Sequence, residues 1–409
     1  MSEKKSTVLI KTLIILITIC AGVANLVMPI LSDLSKLYPN VPENIIIMAN
    51  TMHYLTAIPT SILCAPICKK LGTKKTVLIS MLLQGLGGAV PAIFSDYAMV
   101  LFSRAVFGVG WGVLMTIPLT LVGEYLPLSE QAGFIGVVMA VMALGASMFT
   151  TMGGALAGNM KVLWLAHLIS AVFYIPVVLY FPKDRKTVTG NTVAEQTETD
   201  QKKKAKIPFA FYIILALKLI LSGVVVQGMN LVSFFVEERG LGGTALAGSV
   251  LTVFQIASFA GGFLTGYSVK KMKKFTVLVC SLICGACYVA FAFSGNVAML
   301  FISHVFLGLG SSIVNSLAYI HNSWVVPAES NDIVTGLTMG SGMLASFFLV
   351  YIPSFITQLL GYGNDYMAQY IVIGIVNVLV GIAHVVVFCT KGVKENVDRV
   401  LAESYGTAS

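Results

Sequence analysis

The stretch Phe102–Gly112, FSRAVFGVGWG, puts a single arginine, Arg104, near the head of a long apolar run and follows it with Gly108, Gly110 and Gly112. A guanidinium there cannot face hydrocarbon cheaply: a central arginine costs roughly 2.5–3.5 kcal/mol on insertion scales. Arg104 therefore either binds a solute or coupling group, or ties down carbonyls and polar side chains of neighbouring spans. Lys218 poses the same choice. It lies about 16 Å into another apolar run at 1.5 Å per residue, near a bilayer midplane, unless that run begins later and the lysine snorkels. A third group is a stripe. His304, Gly308, Ser311, Asn315, Tyr319 and Asn322 recur at steps of three and four, which places them on one side of a helix. They form either a wall of hydrogen-bonding groups or helix–helix glue through small and amide side chains. His304 could sense protons there, or pack as a neutral ring.

The stripe that matches around Arg104 is Gly108, Trp111, Met115 and Leu119, far more apolar. An aromatic ring and a thioether beside one cation suit an amphipathic organic solute, and also suit packing. Amides come from Asn25, Gln227 and Asn230. The last two lie off the Lys218 face of an unbroken helix, with Gly223 and Gly228 as places for a break. The acids Asp33, Glu124, Glu237 and Glu238 all fall near the ends of apolar runs. Arg104 and Lys218 thus meet no acid at comparable depth, and an unneutralised cationic interior draws anions.

The elements that must hold these side chains are set by composition. Apolar residues make up 57% of the 409-residue chain and charged residues 11%. Soluble domains carry roughly 25% charged residues, so most of this surface does not face water. Twelve spans are expected, at roughly 8–36, 44–68, 75–94, 97–124, 131–157, 161–182, 208–236, 243–269, 274–294, 297–324, 332–360 and 366–390. The first run mimics a secretory signal peptide, but it continues past the would-be cleavage site, so a first membrane helix is the simpler reading. The expected class is an all-α membrane protein of two six-helix bundles, 1–182 and 208–409. Between them the polar stretch 183–207 reads as a flexible linker.

The halves echo each other. Ile302–Ser312 reads ISHVFLGLGSS, with His304, Gly308 and Gly310 two hundred residues after Arg104, Gly108 and Gly110. Thr76-Val77-Leu78 recurs as Thr276-Val277-Leu278, each time after a lysine cluster. A repeat of that period implies duplicated halves. The net charge of +8 collects on one side: Lys69, Lys70, Lys74 and Lys75, the linker, Lys270 to Lys274 and the tail. The other side has Lys36, Lys161 and Arg239. The excess marks the cytoplasmic side, with both termini on it, and is no nucleic-acid footprint. Cys280, Cys284 and Cys287, three of seven cysteines, share a helical face with no His or acid partner nearby, so they read as small packing residues and no metal is expected.

Twelve spans, duplicated halves, a central polar loop and the Arg104-x-x-x-Gly108-x-Gly110 run together resemble the major facilitator superfamily. Ala65-Pro66-Ile67-Cys68-Lys69-Lys70-Leu71-Gly72-Thr73-Lys74-Lys75 is similar to its loop between spans two and three. Gly145 to Gly153-Gly154 is similar to a worn form of its antiporter motif. The loop holds Cys68, Lys69 and Lys70 where the family usually carries an aspartate followed by arginine, and Thr150-Thr151 stand where an exporter would carry Gly-Pro. The resemblance implies a solute site near the midplane between the halves, lined by spans one, four, seven and ten. It also implies that the arginine of span four serves coupling or substrate binding. Arg104, Trp111, Met115, Lys218, Asn25, Gln227, Asn230, His304, Ser311, Asn315 and Tyr319 are the candidate substrate-binding residues.

The leading expectation is a monomeric carrier that moves an organic anion by alternating access across the cell membrane, without cofactor, driven by a proton or counter-solute. The alternative is proton-driven export of amphipathic compounds. A third reading is a sensor on a carrier scaffold. No paired acids, activated nucleophile or phosphate loop points to an enzyme.

Overall fold

A computed structural model describes residues 3–181, 207–326, 331–390 and 393–399. Every regular element among them is helical. Seventeen α-helices track the apolar runs. The first nine are α1 (Glu3–Ala21), α2 (Leu31–Leu37), α3 (Glu43–Ile62), α4 (Cys64–Leu71), α5 (Thr73–Ala89), α6 (Tyr97–Tyr125), α7 (Leu128–Leu156), α8 (Met160–Leu165) and α9 (Ser170–Tyr180). The others are α10 (Phe209–Asn230), α11 (Val232–Glu238), α12 (Thr244–Met272), α13 (Thr276–Ala292), α14 (Val297–Val325), α15 (Asn331–Phe348), α16 (Ile352–Leu359) and α17 (Tyr366–Cys389). The linker at 183–206 lies outside the described residues.

Ten stretches among the described residues are long and apolar enough to cross a membrane. One of them, Thr244–Ala292, holds two helices, α12 and α13, parted where Lys273 takes a φ of 50°. α3, with 20 residues, is the span that hydropathy alone leaves out. With that split and that addition the described helices fit the expected twelve.

One departure from a simple rod lies beside the candidate residues. Span one is broken by 3-10 turns at Gly22–Leu26 and Met28–Ile30, the second holding Pro29, which has no N–H to donate. α10, in contrast, runs without a break through Gly223 and Gly228 to Asn230. Gly223 is needed for another reason: a Cβ there would press on the backbone of Leu349.

The chain divides into two compact units, Met1–Asp200 with Thr244–Thr252, and Gln201–Gly243 with Val253–Ser409. In the first, α3 and α5 pack along α6. Gly108 and Gly112 permit this, because a Cβ at either would overlap a threonine hydroxyl and a backbone carbonyl of α3: Thr56 and His53, then Thr60 and Ala57. Gly110 opens the other flank to α5 at Ser80 and Gln84. The second unit repeats the arrangement. Gly308 meets Phe254 and Ala257 of α12, and Gly310 meets Cys284 of α13. The helices also start alike: Asp96 caps α6 and Asn296 caps α14, each through a side-chain oxygen. The glycine echo read from the sequence is therefore a packing echo.

The lysine-rich loop between spans two and three also holds structure. Lys74 donates to the Val178 carbonyl at 2.7 Å, placing a cation on the last turn of α9, where unpaired carbonyls gather. Leu86, Phe102 and Leu179 of the first unit are each more than half exposed, as side chains facing lipid would be.

Candidate functional site

Arg104 stands seven residues into α6, about 10 Å from its start. Its side chain is fully buried within the first unit. Nη2 donates to His167 Nε2 at 2.8 Å. The guanidinium carbon lies 4.9 Å from the Phe107 ring and 5.0 Å from the Trp164 ring, cation–π distances that offset part of its lost hydration. His167 sits in the 3-10 turn after α8. Its Nδ1 is 3.0 Å from the Trp164 carbonyl. That oxygen only accepts, so Nδ1 carries the hydrogen. Arginine only donates, so Nε2 carries the lone pair. His167 is thereby held neutral in one tautomer. Gly88 leaves the room it needs, because a Cβ there would overlap the ring.

The cluster is incomplete. Nε and Nη1 of Arg104 have no hydrogen-bond partner. Among the described residues no ion pair reaches Arg104. Trp111 donates to the Ala21 carbonyl at 2.9 Å, joining α6 to the end of α1, and its ring lies 4.8 Å from that of His53. Met115 is half-buried one turn further on. Asn25, half-buried in the break of span one, donates to the Gly22 carbonyl.

The second unit holds Lys218. Its Nζ donates to the Thr338 carbonyl at 2.5 Å and lies 4.8 Å over the Tyr319 ring. Asn322 fixes Thr338 from the far side, Nδ2 to Oγ1 at 3.1 Å. Lys218, Ala318, Asn322, Thr338 and the apolar Phe211 and Ile214 line one crevice. No carboxylate among the described residues pairs with Lys218.

The α14 stripe divides in two. His304 is buried between Phe254 and Phe291, its Nδ1 bonded to the Leu300 carbonyl of its own helix, and Gly308 is equally covered. Ser311 is half-buried beside Cys284. Asn315 is exposed and Tyr319 half-buried. At 100° per residue, Asn315 falls about 180° from exposed Phe306 and about 140° from exposed Ile302. Gln227 donates to Gln369 at 3.2 Å, and Asn230 is fully buried at the end of α10. Lys218 and Tyr319 are thus brought together, and Arg104 and Trp111 flank the rings of Phe107 and His53. His53, His167 and Thr338 were not among the expected site residues. For the two histidines the signal was present: each is an ionisable group inside an apolar span.

A model of the Major Facilitator Superfamily matches residues 13–349. The chain belongs to that superfamily. This major facilitator chain is 27% identical over 271 residues to the hexuronate transporter of Bacillus subtilis, which covers 59% of the chain and 63% of the transporter. It is 28% identical over 133 residues to the MFS efflux transporter aclA of Aspergillus oryzae, covering 32% and 23%. The chain thus spans less than two thirds of the length of these curated relatives. In fold it is similar to a D-xylose-proton symporter, with a TM-score of 0.72, 14% identity, and 92% of this chain and 96% of that one covered.

Proposed function

We propose that the chain is a secondary carrier that moves a small organic anion, of the carboxylate or sugar-acid class, by alternating access. The observation that carries this reading is the pair of buried cations, Arg104 and Lys218, neither neutralised by a carboxylate among the described residues. Burying a charge without a counter-charge is costly unless a partner arrives, and an arriving anion removes that cost. The exposed amide of Asn315, set away from Phe306 and Ile302 on its helix, supplies a polar wall for the solute path. The hexuronate specificity of the Bacillus subtilis relative is in line with such a cargo. We place the protein in the cell membrane as a monomer, with both termini cytoplasmic, given the lysine excess. It has no catalytic role, and a proton or counter-solute drives it.

Thermal unfolding of the purified chain in detergent tests the solute class. A ligand that binds only the folded state stabilises it by RT ln(1 + [L]/Kd). D-glucuronate should raise Tm by several degrees at millimolar concentration, and tetraphenylphosphonium should not. The reverse pattern would support amphipathic export, the reading that the similarity to aclA favours.

A further inference from the structure

We propose that His167 is the binding site of a coupling proton, and that it works as a latch on Arg104. The inference rests on the anion reading above and adds how the anion is tied to a proton.

A guanidinium grips a carboxylate with two bonds along one of two edges, Nε with Nη2 or Nη1 with Nη2. Nη2 belongs to both edges. In this structure His167 Nε2 occupies it at 2.8 Å, while Nε and Nη1 are buried without partners. Nη2 carries two hydrogens, one along each edge, so His167 closes the edge whose hydrogen it accepts and leaves the other open. The tautomer fixes where a proton can add. Nδ1–H is committed to the Trp164 carbonyl, so Nε2 is the ring atom left to take one. When a proton from water forms an N–H bond there, the hydrogen bond from Nη2 is lost and two cations stand side by side. The loss frees the closed edge of Arg104. Conversely, a carboxylate on either edge offsets the charge of Arg104 and so raises the proton affinity of Nε2. By reciprocity each ligand raises the affinity for the other, so proton and anion load together and leave together. Hydronium supplies the proton, its O–H bond breaking as the N–H forms and water leaving, and no other covalent bond changes.

The surroundings leave this exchange to the pair. α5 presents Gly85 and Gly88 to the turn, and its Gln84 donates to the Cys20 carbonyl of α1. α8 presents Trp164, and α9 presents Ser170, which faces Cys20 of α1. The charged and titratable groups facing His167 are Arg104 of α6 and, beyond the Phe107 ring, His53 of α3, with Tyr97 nearer the start of α6. Among the described residues no carboxylate on these elements faces it to take the proton instead.

The first arm of the test needs no solute. In the full chain labelled with 15N-histidine, the signals lost in H167Q identify His167. It should show the neutral Nδ1–H pattern at neutral pH. In R104Q its proton affinity should rise by about tenfold or more, because the neighbouring cation is gone. An unchanged His167 titration in R104Q overturns the latch. The second arm uses proteoliposomes and D-glucuronate. The ratio of uptake with acid outside to uptake at equal pH should exceed one in the wild type and fall to about one in H167Q, whatever its absolute rate. A ratio kept in H167Q also overturns the latch. If wild-type vesicles move no glucuronate while the 15N result holds, the latch stands and the anion reading is what falls.

Discussion

At the scale of single residues the two cations behave differently from the polar groups around them. Arg104 is held by one neutral imidazole and two aromatic faces, and Lys218 by one carbonyl and one ring. Both were legible in the sequence, since a charge in an apolar run stands out. His304 stood out as well, yet it packs as a ring between two phenylalanines. Period alone does not separate a polar stripe that lines a path from one that is covered: the same 100° step places both His304 and Asn315 on one side, and the neighbouring helix decides which is covered. Trp111 is a residue whose contribution to stability can be stated. Trp111→Phe removes the indole N–H from the Ala21 carbonyl and keeps most of the ring. It should destabilise the purified chain by about 1 kcal/mol, the net worth of one buried hydrogen bond, and chemical unfolding in detergent would measure it.

At the scale of elements the spans were readable because each is an uninterrupted apolar run, and the helices end close to where charge or proline returns. The breaks were less readable. Gly22–Leu26 turns as a 3-10 segment, and Gly145 and Gly153 of α7 pack against that region, where a Cβ would press on Ile19 or overlap the Leu26 carbonyl. No local pattern announces such a pairing, because it arises between elements more than a hundred residues apart. The glycine-rich run of α6 makes a paired prediction. Gly108→Val should lower stability by roughly 1–3 kcal/mol, since overpacking against Thr56 and His53 forces the helices apart. Gly123, also in α6, has nothing within 4 Å of its Cβ position. Gly123→Ala should be neutral or stabilising by up to about 1 kcal/mol through helix propensity. Measuring both variants by thermal unfolding separates the packing effect from propensity.

At the scale of the whole molecule the duplication and the charge asymmetry carry the account. The halves repeat in their glycine contacts and in their capped starts, Asp96 and Asn296. On the proposed topology, with the lysine excess inside, Lys70 lies in the cytoplasm and Lys161 outside. In a background with Cys68 and Cys389 replaced by Ser, a membrane-impermeant maleimide should label K161C in intact cells and leave K70C unlabelled until the cells are opened. Which solute fits was not legible: on the proposed reading two buried cations set only the sign of the cargo's charge, and nothing in a helical period indicates its shape. The most direct test of the central claim is uptake of radiolabelled D-glucuronate by proteoliposomes holding the wild type, R104A or K218A, each checked as folded by size-exclusion chromatography. The account predicts saturable wild-type uptake that falls at least tenfold in each variant. Full uptake by both folded variants would contradict it.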